Sequence, residues 1–123
     1  MYEISVRAAF EAAHFLAGYE GKCSRLHGHN WTVEAIVRGE RLDRLGMLVD
    51  FSVLKSELKR ILDLFDHRFL NELEFFETEN PTAENLARKI FKRLSMSEIF
   101  YGSVKLQAVK VYESPNSCVT YYE

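Results

Sequence analysis

Apolar and polar residues alternate from residue 3 to residue 14, with Ile4, Val6, Ala8, Phe10, Ala12 and His14 on one side and Glu3, Ser5, Arg7 and Glu11 on the other. A period of two over that length predicts a half-buried strand. A loop with Gly18 and Gly21 follows, and a second alternating run over about residues 29–38 puts His29, Trp31, Val33, Ala35 and Val37 on one face and Asn30, Thr32, Glu34, Ile36 and Arg38 on the other, ending at Gly39. After Gly46 the period becomes helical: Phe51, Leu54, Leu58, Ile61, Leu62 and Phe65 recur on one side, opposite Lys55, Glu57, Lys59 and Arg60. Asp50 or Ser52 suits the cap of this helix. A second helix opens at Asn80-Pro81-Thr82-Ala83-Glu84-Asn85, with Thr82 as N-cap, Glu84 in the first turn, and Leu86, Ala87, Ile90 and Leu94 as its apolar stripe. Beyond Gly102, strands over about 103–113 and 117–122 flank the turn Ser114-Pro115-Asn116-Ser117. The order strand, strand, helix, helix, strand, strand predicts an α+β fold with both helices on one face of an antiparallel sheet. The other face and both edges stay uncovered, so a homo-oligomer is expected.

The chain has 123 residues and neither an internal repeat nor a linker, so a single domain over 1–123 is expected. Sixteen basic against eighteen acidic side chains give a net charge of −2. That balance argues against a nucleic-acid binder, which carries a strongly basic surface. No apolar run of about eighteen residues exists to span a membrane. The N-terminal residues lack the basic and apolar regions of an export signal, and with only Cys23 and Cys118 the expectation is a cytoplasmic protein with reduced thiols.

Candidate chemistry concentrates in Cys23-Ser-Arg-Leu-His27-Gly-His29. Histidines at i and i+2 of a strand share one side and can reach one ion, and Gly28 between them lets backbone approach an ion or ligand. His14, at the end of the neighbouring strand, supplies a third imidazole. Three histidines with an open fourth position describe a catalytic zinc site, while Cys23 as fourth ligand would close it into a structural one. Both readings stand on the residues alone, the second leading to a non-catalytic, zinc-stabilised binding module. Off the metal, Cys23 is a candidate general base, because a nearby cation lowers a thiol pKa towards neutrality. Asp66-His67 after the first helix is a candidate proton-transfer pair, the carboxylate setting the imidazole tautomer. Glu113 continues the face of Val109 and Val111 and is a candidate anchor for a ligand with paired N–H donors, such as an amino-pyrimidinone ring.

Taken in order, Phe10-Glu11-Ala12-Ala13-His14, Cys23-x3-His27-Gly28-His29-Asn30, Met47-Leu48-Val49-Asp50-Phe51, Asp66-His67, Asn80-Pro81-Thr82-Ala83-Glu84-Asn85 and Val111-Tyr112-Glu113 closely resemble the 6-pyruvoyltetrahydropterin synthase / 6-carboxytetrahydropterin synthase family over nearly the whole chain. The resemblance implies a tunnelling fold, with β-β-α-α-β-β subunits whose sheets join into a barrel on oligomerisation, as a hexamer in most members. It implies 7,8-dihydroneopterin triphosphate as substrate, and active sites where subunits meet. It implies zinc held by His14, His27 and His29, catalysis by Cys23, Asp66 and His67, and a pterin pocket formed by Glu113 with Thr82 and Glu84. The three-residue gap from Cys23 to His27 resembles the queuosine-pathway 6-carboxy enzymes, with 6-pyruvoyl activity as the alternative. Cys23 departs from the relatives that carry Glu there and act as aldolases. Trp31 and Ser114 are small departures that remove no group the mechanism needs. Lys22, Arg25 and Lys105 are charged candidates for the triphosphate.

Overall fold

The computed structural model describes all residues from Met1 to Glu123. Strand β1 (Tyr2–His14) pairs antiparallel with β2 (His27–Gly39), which pairs antiparallel with β4 (Lys105–Ser114), and β4 in turn with β5 (Ser117–Tyr121). Helices α1 (Phe51–Leu62) and α2 (Ala83–Leu94) pack on one face, α1 against β1 and α2 against β4 and β5. A two-residue strand, β3 (Arg68–Phe69), pairs parallel with Ala12 and Ala13 and completes the order β3-β1-β2-β4-β5. The expected α+β architecture is present, with β3 added between the helices. Two residues carry no periodicity, which is why the sequence pattern gave no sign of β3.

Alternation decides which face is core. Val6, Phe10, Trp31, Val33, Val37, Val109 and Val111 are buried beneath the helices, while Glu3, Ser5, Arg7, Ala9 and Glu11 stand exposed on the outer face. The stripe Leu86, Ala87, Ile90 and Leu94 of α2 is fully buried, as are Leu54 and Leu58 of α1. Each such leucine contributes about 1.5–3 kcal/mol relative to an exposed one. Both caps are as expected. Asp50 accepts from the backbone N–H of Ser52 at 2.8 Å, and Thr82 from that of Asn85 at 3.1 Å.

Two expectations about α1 are corrected. Phe51 does not join the buried stripe; it begins the helix and is 60% exposed, lining an apolar groove with Tyr2 and Met47. Nor does the helix reach Phe65. Its end tightens through Leu64 N–H to Ile61 O and Phe65 N–H to Leu62 O, and His67 then adopts a left-handed φ of 55° that turns the chain into β3. Phe65 is fully buried, but from the turn. Glycine is the usual residue for that reversal, so a histidine hides it from sequence reading.

No helix is long and apolar enough to cross a membrane. Cys23 and Cys118 are both free thiols. The outer edge of β1 before Ala12 and the outer edge of β5 have no strand partner.

Candidate active site

The β1–β2 register sets His14 opposite His27 and Ala12 opposite His29, so three imidazoles gather at one end of the helix-facing side of the sheet. Their ring centroids stand 4.5 Å (His14–His27), 5.0 Å (His14–His29) and 4.7 Å (His27–His29) apart. Neighbouring backbone fixes two of the rings. His14 Nδ1 donates to the carbonyl of Pro81 at 2.8 Å, and His27 Nδ1 to that of Arg25 at 2.7 Å. A carbonyl only accepts, so in the neutral rings these bonds place the proton on Nδ1 and leave Nε2 with its lone pair, the form a metal binds. Nε2 of His14 and Nε2 of His29 are buried without a hydrogen-bond partner. A buried polar atom without a partner costs about 1–3 kcal/mol, and two of them pointed into one cluster mark a place for a bound group.

Burial lowers the pKa of His14 against the raising effect of its Pro81 contact, and burial lowers that of His29 against the opposing charge of Glu113. Both rings are therefore neutral at pH 7, as ligation requires. Trp31 packs edge-on against His14 and His29 with centroids at 5.1 and 5.2 Å, and stacks on Phe10. Glu113 completes the group. One ligand atom from each of His14, His27, His29 and Glu113 lies within 4.8 Å of all the others.

Cys23 stands outside that group. It sits half-exposed in a single turn of 3-10 helix, Lys22–Ser24, and its carbonyl accepts from Leu16 N–H at 2.7 Å. Two asparagines hold the segment leading to this turn. Asn71 exchanges hydrogen bonds with both backbone groups of Phe15 at 2.9 and 3.0 Å, and Asn80 does the same with Ala17 at 3.0 and 2.9 Å. Each side-chain amide thus acts as a one-residue strand. Asn71 has no sequence signal for this role; Asn80 lies in a helix-start motif that gives no hint of a partner so distant in sequence.

Asp66 and His67 open on the outer face of the sheet. Asp66 Oδ1 accepts from the backbone N–H of Glu11 at 3.0 Å and lies 2.9 Å from His67 Nδ1, and these contacts hold its carboxyl below the usual range, the Glu11 bond most of all. The backbone of His67 donates to Glu11 O, and its Nε2 lies 3.3 Å from the Glu11 carboxylate. An open cavity of about 620 Å³ lies beside the pair, lined also by Ala13, Gly28, His29, Asn30 and Phe69. Glu11, which sequence reasoning left as a surface acid, is thus the anchor of this pair. A Cβ on Gly28 would meet no protein atom within 4 Å. Thr82 and Glu84 do not join the histidine group. The Thr82 hydroxyl caps α2 and Glu84 is exposed in its first turn, while the preceding residue, Pro81, supplies the carbonyl that orients His14.

The sequence model of the family described as 6-pyruvoyl tetrahydropterin synthase matches residues 3–123. A 6-carboxy-5,6,7,8-tetrahydropterin synthase of Haemophilus influenzae is 33% identical, covering all of both chains. Another, from Synechocystis sp., is 38% identical over 99% of this chain and 94% of its own. The solved structure of Caenorhabditis elegans 6-pyruvoyl tetrahydropterin synthase superposes with a TM-score of 0.87 at 32% identity, covering 99% of this chain and 95% of that one.

Proposed function

Because the chain belongs to the 6-pyruvoyl tetrahydropterin synthase family, we propose that it is a 6-carboxy-5,6,7,8-tetrahydropterin synthase. It converts 7,8-dihydroneopterin triphosphate and one water to 6-carboxytetrahydropterin, triphosphate and acetaldehyde. The observation that carries this reading is the full-length match to curated 6-carboxy enzymes in a chain whose three histidines converge on one point while its cysteine stands apart. The C. elegans likeness favours the second reading, 6-pyruvoyl activity, in which triphosphate elimination is the only net change.

His14, His27 and His29 would hold a zinc ion: the ligand atoms are imidazole nitrogens, two of them buried and unsatisfied, which suits zinc. When bound, the ion acts as a Lewis acid towards the substrate's side-chain hydroxyls, making the adjoining C–H protons more acidic. Cys23 takes up such a proton and His67, held in one tautomer by Asp66, delivers or relays one. Glu113 accepts the paired N–H groups of the pterin ring and so sets the reach of the side chain, with Thr82 and Glu84 as further pocket residues. Asp66-His67 stands beside Glu11 and outside the histidine group, although His29 lines the same open cavity, and this separation supports an active site assembled from more than one subunit. The unpaired edges of β1 and β5 support a homo-oligomer, read here as a hexamer in the cytoplasm.

Two measurements test this reading. Incubation with 7,8-dihydroneopterin triphosphate should yield 6-carboxytetrahydropterin and acetaldehyde by chromatography; accumulation of 6-pyruvoyltetrahydropterin would transfer the assignment to the second reading. Removing metal by chelation should lower the melting temperature, and zinc restored to about a hundred times its Kd should return about 2.7 kcal/mol. An unchanged melting temperature would remove zinc from the folded protein's ligands.

A further inference from the structure

Glu113 lies where the β4–β5 register shifts between Tyr112 and Ser114, and no ladder partner is assigned to it. Bulges of this kind re-aim a side chain, and here Glu113 Oε1 comes to 3.3 Å from His29 Nε2. That contact lacks the alignment of a hydrogen bond, for His29 Nε2 has no hydrogen-bond partner. With the proton of neutral His29 on Nδ1, as on His14 and His27, the carboxylate oxygen faces a lone pair, a repulsive contact that a cation between them relieves. Two ligands on one tetrahedral zinc, each bound at about 2.0–2.1 Å, stand about 3.3–3.4 Å apart. The separation is that of two atoms sharing an ion, and both belong to the same four-residue group.

We propose that Glu113 is the fourth metal ligand of the substrate-free protein and leaves the metal when the pterin ring binds. This rests on the reading of Glu113 as the ring's anchor. The exchange balances: one carboxylate–metal bond breaks, hydrogen bonds from the ring N–H groups to the same carboxylate form, and the vacated position becomes free for a substrate hydroxyl. Recognition of the correct ring then opens the metal, so that the Lewis acid is closed to water and to stray ligands until the ring is seated.

Cobalt-loaded full-length protein and neopterin, which lacks the triphosphate, provide the test. Against a chromophoric chelator, Glu113→Gln and Glu113→Ala should bind cobalt more weakly than the parent by at least the about 10–100-fold that loss of a group merely orienting a ligand costs. Neopterin should change the visible cobalt spectrum of the parent and leave that of both variants unaltered. Far-UV circular dichroism checks that the variants fold, and the glutamine variant keeps the shape of the side chain. Equal cobalt affinity in all three proteins overturns the proposal; if neopterin binding, followed by pterin fluorescence, is lost at the same time, the ring-anchor reading survives. Weakened cobalt affinity with undiminished neopterin binding overturns displacement by the ring, and the anchor reading with it.

Discussion

Replacing Cys23 with alanine is expected to lower kcat by about 10²–10⁴-fold, the range of a lost general acid or base, with metal content and fold unchanged. The thiol is no part of the group formed by His14, His27, His29 and Glu113. Nor does it hold its own loop. That work falls to the backbone of Cys23 and Leu16, to Asn71 on Phe15 and to Asn80 on Ala17. Alanine therefore removes a proton acceptor and little else. Turnover of 7,8-dihydroneopterin triphosphate beside zinc content by metal analysis separates the two readings of this residue. A cobalt-loaded parent with a strong thiolate charge-transfer band, absent from the variant along with its metal, would make Cys23 a ligand and end its assignment as base.

The division between legible and hidden features follows the range of the interactions. Histidines at i and i+2 on a strand were readable because strand geometry alone puts them on one side, and His14 joins them through a hairpin register that alternating faces strongly constrain. The helix caps Asp50 and Thr82 were readable for the same reason: their partners lie two or three residues away. The Asn71 and Asn80 clamps were not, since they reach 56 and 63 residues along the chain. Glu113 is an intermediate case. Its singularity among apolar neighbours was visible, but the register shift that turns it to His29 depends on how β4 meets both of its neighbours. Asp66-His67 was legible as a pair, whereas its position outside the histidine group depends on the left-handed turn at His67 and on Glu11, neither of which leaves a local pattern.

Trp31→Ala should produce the largest loss of stability of any single change around the site, about 3–5 kcal/mol. Against a total of about 5–15 kcal/mol for a domain, that is a large share. The indole is completely buried, lies parallel to Phe10 with centroids 6.0 Å apart, and donates from Nε1 to the carbonyl of Ala12 at 3.3 Å. Ala12 sits directly opposite His29 in the hairpin, so the bond ties the packing of Trp31 to the register that aligns the imidazoles. The same indole makes T-shaped contacts with both His14 and His29. Truncation should therefore weaken metal binding as well, without removing a ligand. Trp31→Phe separates the two effects: it keeps an aromatic ring against Phe10 and gives up the Nε1 bond, at a cost of about 1 kcal/mol. Chemical denaturation with and without metal reads both quantities. Metal affinity lost in the alanine variant and retained in the phenylalanine variant would assign the alignment of the histidines to packing rather than to the hydrogen bond, and equal loss in both would assign it to the bond.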